Sequence, residues 1–180
     1  FLLGGMIRAG PGTVQEYPAF IMAETPRPRP EPLSPEQHRA LGVEYFNAVW
    51  KLLDAPARTA SDDLTMIHLA HASRHHWGHA AGATPVNLVR GEWQVSRVYA
   101  VVGRAEPARF HAERCLELFV AGAIDGFDLA YAHEALARAA QVAGDSEALA
   151  RHLALARAEA ASVPAKDLAN LQADLQELEG

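Results

Sequence analysis

An all-α fold, an α-solenoid of three helical hairpins plus a C-terminal capping helix, is predicted by three observations on this 180-residue sequence. No window carries the two-residue alternation of a strand: the β-branched residues are scattered, and alanine, a strong helix former, fills the second half. Residues 84–121 repeat as residues 125–162 at a spacing of 41, pairing Leu88 with Leu129, Arg97 with Arg138, Val101 with Val142, Gly103 with Gly144, Glu106 with Glu147 and His111 with His152. Such a period marks stacked units, each too small to bury its own apolar face. Caps and prolines, finally, divide the chain into helix-length segments.

The elements follow in order. Residues 25–35 alternate proline with charge, which favours an extended, solvated chain, so residues 1–33 are expected to be a disordered or extended tail and 34–180 the helical domain. Residue 1 is not methionine, and Met6 or Met22 is the expected native start. The apolar residues 1–7 are too short to span a bilayer and lack the charged start and cleavage region of a signal peptide. Ser34 offers an N-cap, Pro35 the first helical position and Gln37 the return bond of a capping box, opening a helix to about Leu53. This helix carries Phe46, Val49 and Trp50. Ala55-Pro56 breaks it, and Ser61 with Asp62 and Asp63 begins a second helix to about His79, acids in a first turn complementing the helix dipole.

Thr84-Pro85 repeats the cap-plus-proline signal for a third helix, which Gly103 ends in a left-handed cap. Val86, Val89, Trp93 and Ala100 mark one apolar face of it, Leu88, Val95, Tyr99 and Val102 another, as expected of a helix sandwiched between neighbours. Helix four spans about 106–121. Asp125 or Gly126 opens helix five, Gly144 closes it, Ser146 caps helix six, and Pro164 begins a more polar seventh helix ending near Glu179.

Composition narrows the function. A chain 49% hydrophobic can bury one sizeable core. A formal charge of -6 argues against nonspecific binding to phosphate backbones or anionic membranes, which reward a basic surface, so neither nucleic acid nor membrane is an expected partner. Cys115 is the only cysteine, which rules out an intrachain disulfide and suits a cytoplasmic setting. Gly4-Gly5 and Gly10-Pro11-Gly12 precede no strand and carry no lysine, so they make no phosphate loop. Cys115 with His111 one turn before it has the elements of a nucleophile and base, but a buried, structural cysteine is the expectation at a packing position. No catalytic residue is assigned.

Val95, Ser96, Tyr99, Gly103, Ala108, Ala112 and Cys115 fall at the intervals that small, aromatic and glycine positions hold in a tetratricopeptide repeat. Leu136, Ala137, Ala140, Gly144, Leu149, Leu153 and Ala156 answer them in the next hairpin. The chain resembles a tetratricopeptide-like helical repeat protein over residues 84–162, and over 34–79 only as a helical hairpin. It departs from that family in its 41-residue period, against the usual 34, and in lacking the motif's closing proline. Residues 63–77 and 91–99 also resemble an uncharacterised bacterial family of such proteins.

The resemblance implies a concave face lined by the first helix of each hairpin, which places Arg90, Trp93, Gln94, Arg97 and Val101 there, then Tyr131, Glu134 and Arg138. Arginine can hold a carboxylate through two parallel hydrogen bonds and tryptophan supplies a flat apolar anchor, so an acidic or C-terminal peptide is the expected ligand of a binding scaffold. Trp93 stands where family members that clamp a peptide carboxylate place lysine. Arg97 could instead simply stack on Trp93 as a cation–π pair that stabilises the fold.

Helix two suggests an alternative. His68, His71, His75 and His79 fall within an arc of about 80° on a helical wheel. Imidazoles three or four residues apart can share zinc or another divalent transition metal, which would make the chain a metal- or small-ligand-binding protein, even an enzyme. No glutamate within this helix supplies a base, and the same histidines suit a polar seam between hairpins. A homo-oligomer is a third expectation, because the apolar face of Phe46 and Trp50 needs a cover.

Overall fold

The computed structural model describes residues 32–124 and 128–179, all but Pro32 within one compact unit, Leu33–Gly180. The predicted tail, apart from Pro32 and Leu33, and the predicted opening of helix five at Asp125 or Gly126 lie outside the described residues. The described residues are all-α, with seven helices, one 3-10 turn and no strand among them. None of these helices is long and apolar enough to cross a membrane.

Helix α1 spans Pro35–Leu53, and its capping box closes as expected: Gln37 N–H donates to Ser34 Oγ at 3.3 Å, and Ser34 N–H donates to Gln37 Oε1 at 2.7 Å. Helix α2 (Ala60–Trp77) starts one turn residue earlier than Ser61 suggested, because Thr59 is the cap and Asp62 completes its box. Helix α3 (Pro85–Val101) is capped at Thr84 with Asn87 as the partner. Helices α4 (Ala105–Ala121) and α5 (Asp128–Ala143) follow. Asp145, not Ser146, caps α6 (Ser146–Glu159), since its carboxylate accepts the Ala148 N–H at 2.9 Å. A 3-10 turn at Ala160–Ser162 leads to α7 (Ala165–Glu177).

Helices α3 and α5 end alike. Gly103 and Gly144 take φ of 74° and 73°, a region costly for residues with a Cβ. After each, the next N–H reaches back to close a Schellman motif: Arg104 N–H to Tyr99 O and Asp145 N–H to Ala140 O.

Consecutive helices pack together from α1–α2 through α5–α6, and α3 and α7 also pack on α5. Val49, Met66 and Ala70 meet Val95 and Val98 where the first hairpin adjoins α3. Trp77 lies against the backbone of Gly42, where a Cβ would come within 3.2 Å of the indole. Helix α5 is buried at ten of its 16 residues, six of them alanines, which lets neighbours approach it on several sides. Helix α7 buries Leu171 and Leu175 with Ala130, Ala137, Leu153 and Ala156, closing the core at that end.

Candidate functional site

The alternation of helices leaves a groove walled by α1, α3, α5 and α7, with a cavity of about 450 Å³. That volume lies in the range of small-ligand and side-chain pockets. Arg90, Trp93 and Arg97 reach it from α3, because a spacing of three and four keeps them on one helical face. Phe46 and Trp50 line it from α1, Asp128 and Tyr131 from α5, and Asp167, Asn170, Ala173 and Asp174 from α7, with Val89 and Cys115 at its floor.

Its aromatic wall is continuous. The Trp50 and Trp93 rings lie 5.7 Å apart at 35°, and Tyr131 meets Trp93 edge-on at 5.6 Å. Arg97 places its guanidinium over both indoles, 5.8 Å from the Trp50 ring and 5.9 Å from that of Trp93. Burial first, then the carboxylates of Asp174, Glu134 and Asp167, pushes the Tyr131 hydroxyl up to about 12, so it stays protonated and able to donate at neutral pH.

The arginines of this face already hold carboxylates. Arg90 grips Asp128 through two bonds, Nε to Oδ1 at 2.7 Å and Nη2 to Oδ2 at 3.2 Å. Arg97 Nη2 pairs with Asp174 Oδ1 at 2.9 Å. Behind the aromatic wall, the fully buried Glu134 accepts from Arg138 Nε at 2.7 Å, Trp93 Nε1 at 2.9 Å and, more weakly, Arg97 Nη1 at 3.5 Å. Arg138 is itself buried, which opposes its charge. Glu134, Glu177 and Asp174 outweigh that cost and hold its pKa above the ordinary arginine value.

Of the residues that sequence assigned to ligand binding, Arg90, Trp93, Arg97 and Tyr131 therefore line the groove. Gln94, Glu134 and Arg138 do not. Gln94 follows Trp93 by one residue and so points about 100° away. It is buried toward α1, donating to the Phe46 carbonyl at 3.0 Å while its Oε1 has no partner. Glu134 and Arg138 are buried and paired with each other, and Arg138 also meets Asp174 and Glu177 of α7. The sequence reading missed Phe46 and Trp50 as lining residues, together with Asp128, Asp167, Asn170 and Asp174. The acids at 167 and 174, seven residues apart on one face of the last helix, were the signal that this helix addresses the groove.

The histidines assigned to a metal do not share one point. His75 and His79, with ring centroids 4.9 Å apart, turn toward His38 of α1 together with His76. His38 Nδ1 and His76 Nδ1 lie 2.8 Å apart, so one must donate and the other accept. His71 leaves that group for a second one, its Nε2 2.9 Å from the Tyr99 hydroxyl and its ring 5.2 Å from that of His111. His68 is exposed. The helical wheel brought the four together, but α1 on one side and α3 with α4 on the other divide them. Among the described residues, no three His, Cys, Asp or Glu side chains are arranged to hold a metal ion.

His111 is similarly committed: its Nδ1 lies 2.7 Å from Oε2 of the buried Glu92, whose Oε1 accepts from Arg74 Nε at 2.8 Å. Burial works against the Glu92 charge, but His111 and Arg74 overcome it and hold the carboxyl below its ordinary value. Cys115 is fully buried, and burial, with Asp128, Glu92 and Glu134 nearby, pushes its thiol far up, away from any nucleophilic state at neutral pH. No protein-family model, curated protein or solved structure matches this chain.

Proposed function

We propose that this chain is a tetratricopeptide-like solenoid, with α1–α2, α3–α4 and α5–α6 as its three hairpins and α7 as its cap, that binds a segment of a partner polypeptide in the groove of its concave face. One observation carries this reading: an open cavity of about 450 Å³ walled by Phe46, Trp50, Trp93 and Tyr131, all drawn from the first helices of the hairpins. Aromatic side chains in a pocket are the anchors on which peptide recognition concentrates its energy. The groove walls are already tied together by Arg90–Asp128 and Arg97–Asp174, so a ligand would meet a preformed surface and lose little affinity to ordering it. A cytoplasmic setting suits a chain whose one cysteine is a buried thiol. Peptides selected from a random displayed library on the 180-residue chain should shift its tryptophan emission, and Trp50→Ala should abolish their binding while leaving helicity intact. Selected peptides that bind Trp50→Ala as well as wild type would refute the assignment.

A second reading, a transition-metal or small-ligand site, is favoured by the grouping of His38, His75, His76 and His79, whose rings approach within 4.9–6.3 Å. The membership differs from that expected on helix two alone. Rotation of the exposed His75 and His79 would be needed to aim their nitrogens at one ion. Zinc binding in equilibrium dialysis that survives His38→Ala and His76→Ala would dismiss this group.

A further inference from the structure

We infer that the groove selects a basic ligand, a lysine or arginine side chain of a partner segment whose apolar neighbour rests on the aromatic wall, with Asp167 as the anion that receives the cation. This rests on the peptide-binding reading above and reverses the sign expected from the arginines. Two arginines line the groove against three aspartates. Both arginines are neutralised within the chain, Arg90 by both oxygens of Asp128 and Arg97 by Asp174 with help from Glu134. An incoming carboxylate that took the two-bond grip on Arg90 or the closest contact of Arg97 would displace one of these acids. Asp128 and Asp174, whose side chains are only 7% and 18% exposed, would then be left unpaired beside a second anion. Exchanging one ion pair for another adds little affinity, and the stranded charge costs more than it returns.

A cation meets no such exchange. Among the described residues, Asp167 is the one acid lining the groove that forms no ion pair, and it lies half-buried. Its backbone carbonyl is 3.5 Å from the Tyr131 hydroxyl, which places it beside the aromatic wall. Asn170, exposed one turn further along α7, adds a neutral acceptor on the same rim. The apolar part of the segment would lie on Phe46 and Trp50, and the chain's net charge of -6 would draw a basic partner in.

Three transparent dipeptide amides, N-acetyl-Phe-Lys, N-acetyl-Phe-Gln and N-acetyl-Phe-Glu, titrated into the 180-residue chain with tryptophan emission as the readout, test this directly. The lysine peptide should bind about tenfold more tightly than the glutamate peptide, with glutamine between, the difference one charge-assisted contact supplies. Its advantage should shrink between about 50 mM and about 500 mM salt. Asp167→Asn should bring the lysine peptide to the affinity of the glutamine peptide, and Asn170→Lys, on the exposed rim, should weaken it independently. A glutamate peptide that binds as tightly as lysine, or a lysine preference that survives Asp167→Asn, would overturn the inference and leave the groove reading standing. No response to any of the three would overturn both. Butylamine binding as tightly as the lysine peptide would replace the polypeptide segment with a free amine and overturn the assignment of partner.

Discussion

Replacing Glu134 by glutamine removes one negative charge and almost no volume from the centre of the third hairpin, and the surroundings set the size of the effect. Glu134 is fully buried and accepts from Arg138, Trp93 and Arg97. In the variant, the Trp93 bond survives on the amide oxygen, but Arg138, its side chain only 6% exposed, loses its 2.7 Å partner. Breaking a buried pair from one side costs about 3–5 kcal/mol. Arg138 keeps weaker contacts with Asp174 at 3.5 Å and Glu177 at 3.4 Å, so the low end, about 3 kcal/mol, is expected. For a domain of this size that lowers the melting temperature by about 6–12 °C. Thermal unfolding followed by circular dichroism measures it, with Glu177→Gln as the control. Glu177, 63% exposed on its side chain, should shift stability by less than about 0.5 kcal/mol. Replacing both partners, Glu134→Gln with Arg138→Met, should recover most of the loss, because no charge is then stranded and the Trp93 N–H keeps an acceptor. If Glu134→Gln melts within about 2 °C of wild type, the network does not hold the hairpin and the account of Glu134 as structural fails.

Gly91→Ala should destabilise by about 1–3 kcal/mol. A Cβ there would lie 2.6 Å from Arg74 Cδ, and Arg74 is pinned by Glu92; the urea midpoint should fall, and Arg74→Ala in the same chain should relieve the clash. Stability should decline on acidification from about pH 7.5 to about pH 5. His71, His76, His133 and His152 all titrate below the ordinary 6.5 in the folded chain, by burial first and, except for His133, through neighbouring histidines. The unfolded chain therefore binds more protons, so their contribution is complete above 6.5 and is lost as pH falls. A melting temperature that rises over that interval would contradict these assignments. Cys115 should resist a disulfide thiol reagent in the native protein and react at once in denaturant; rapid native labelling would show that the thiol is accessible.

What the sequence made legible is local in origin. Ser34 with Gln37, Thr84 before Pro85, and the glycines at 103 and 144 each act within one turn of backbone, and each does what its chemistry suggests. The misplaced caps are near-degenerate choices: Thr59 and Ser61 both carry a hydroxyl, and only Thr59 has an acid, Asp62, three residues on with which it closes a box. Trp93 and Arg97 were legible because three-and-four spacing keeps them on one face. The destination of the arginines was not, since Arg90 finds Asp128 across 38 residues and Arg97 finds Asp174 on the last helix, pairings set by how helices stack and not by any helix alone. The histidines make the same point in reverse. A wheel drawn for a second helix running to His79 unites His71, His75 and His79, but α2 ends at Trp77 and the neighbouring helices separate His71 from the other two.

The 41-residue spacing in the sequence relates residues that meet beside the groove. Arg97 and Arg138 are repeat equivalents, and both contact the same acid, Glu134, which is the repeat equivalent of Trp93. At the spacing of 41, the position of Trp93 in the aromatic wall corresponds to Glu134, the buried anion that takes the Trp93 N–H and both arginines. The same divergence separates the pairs behind the groove: Glu92 with His111 at 2.7 Å becomes His133 with His152 at 3.3 Å, a charge-assisted contact replaced by one between two neutral imidazoles. On the proposed reading, recognition would concentrate at the junction of α1 and α3, where Trp50, Trp93 and Arg97 meet, and the carboxylates of α5 and α7 would set its sign. Changes in α7 that alter Asp167 or Asp174 should then retune which ligand is accepted, and changes at Glu134 should loosen the surface that accepts it.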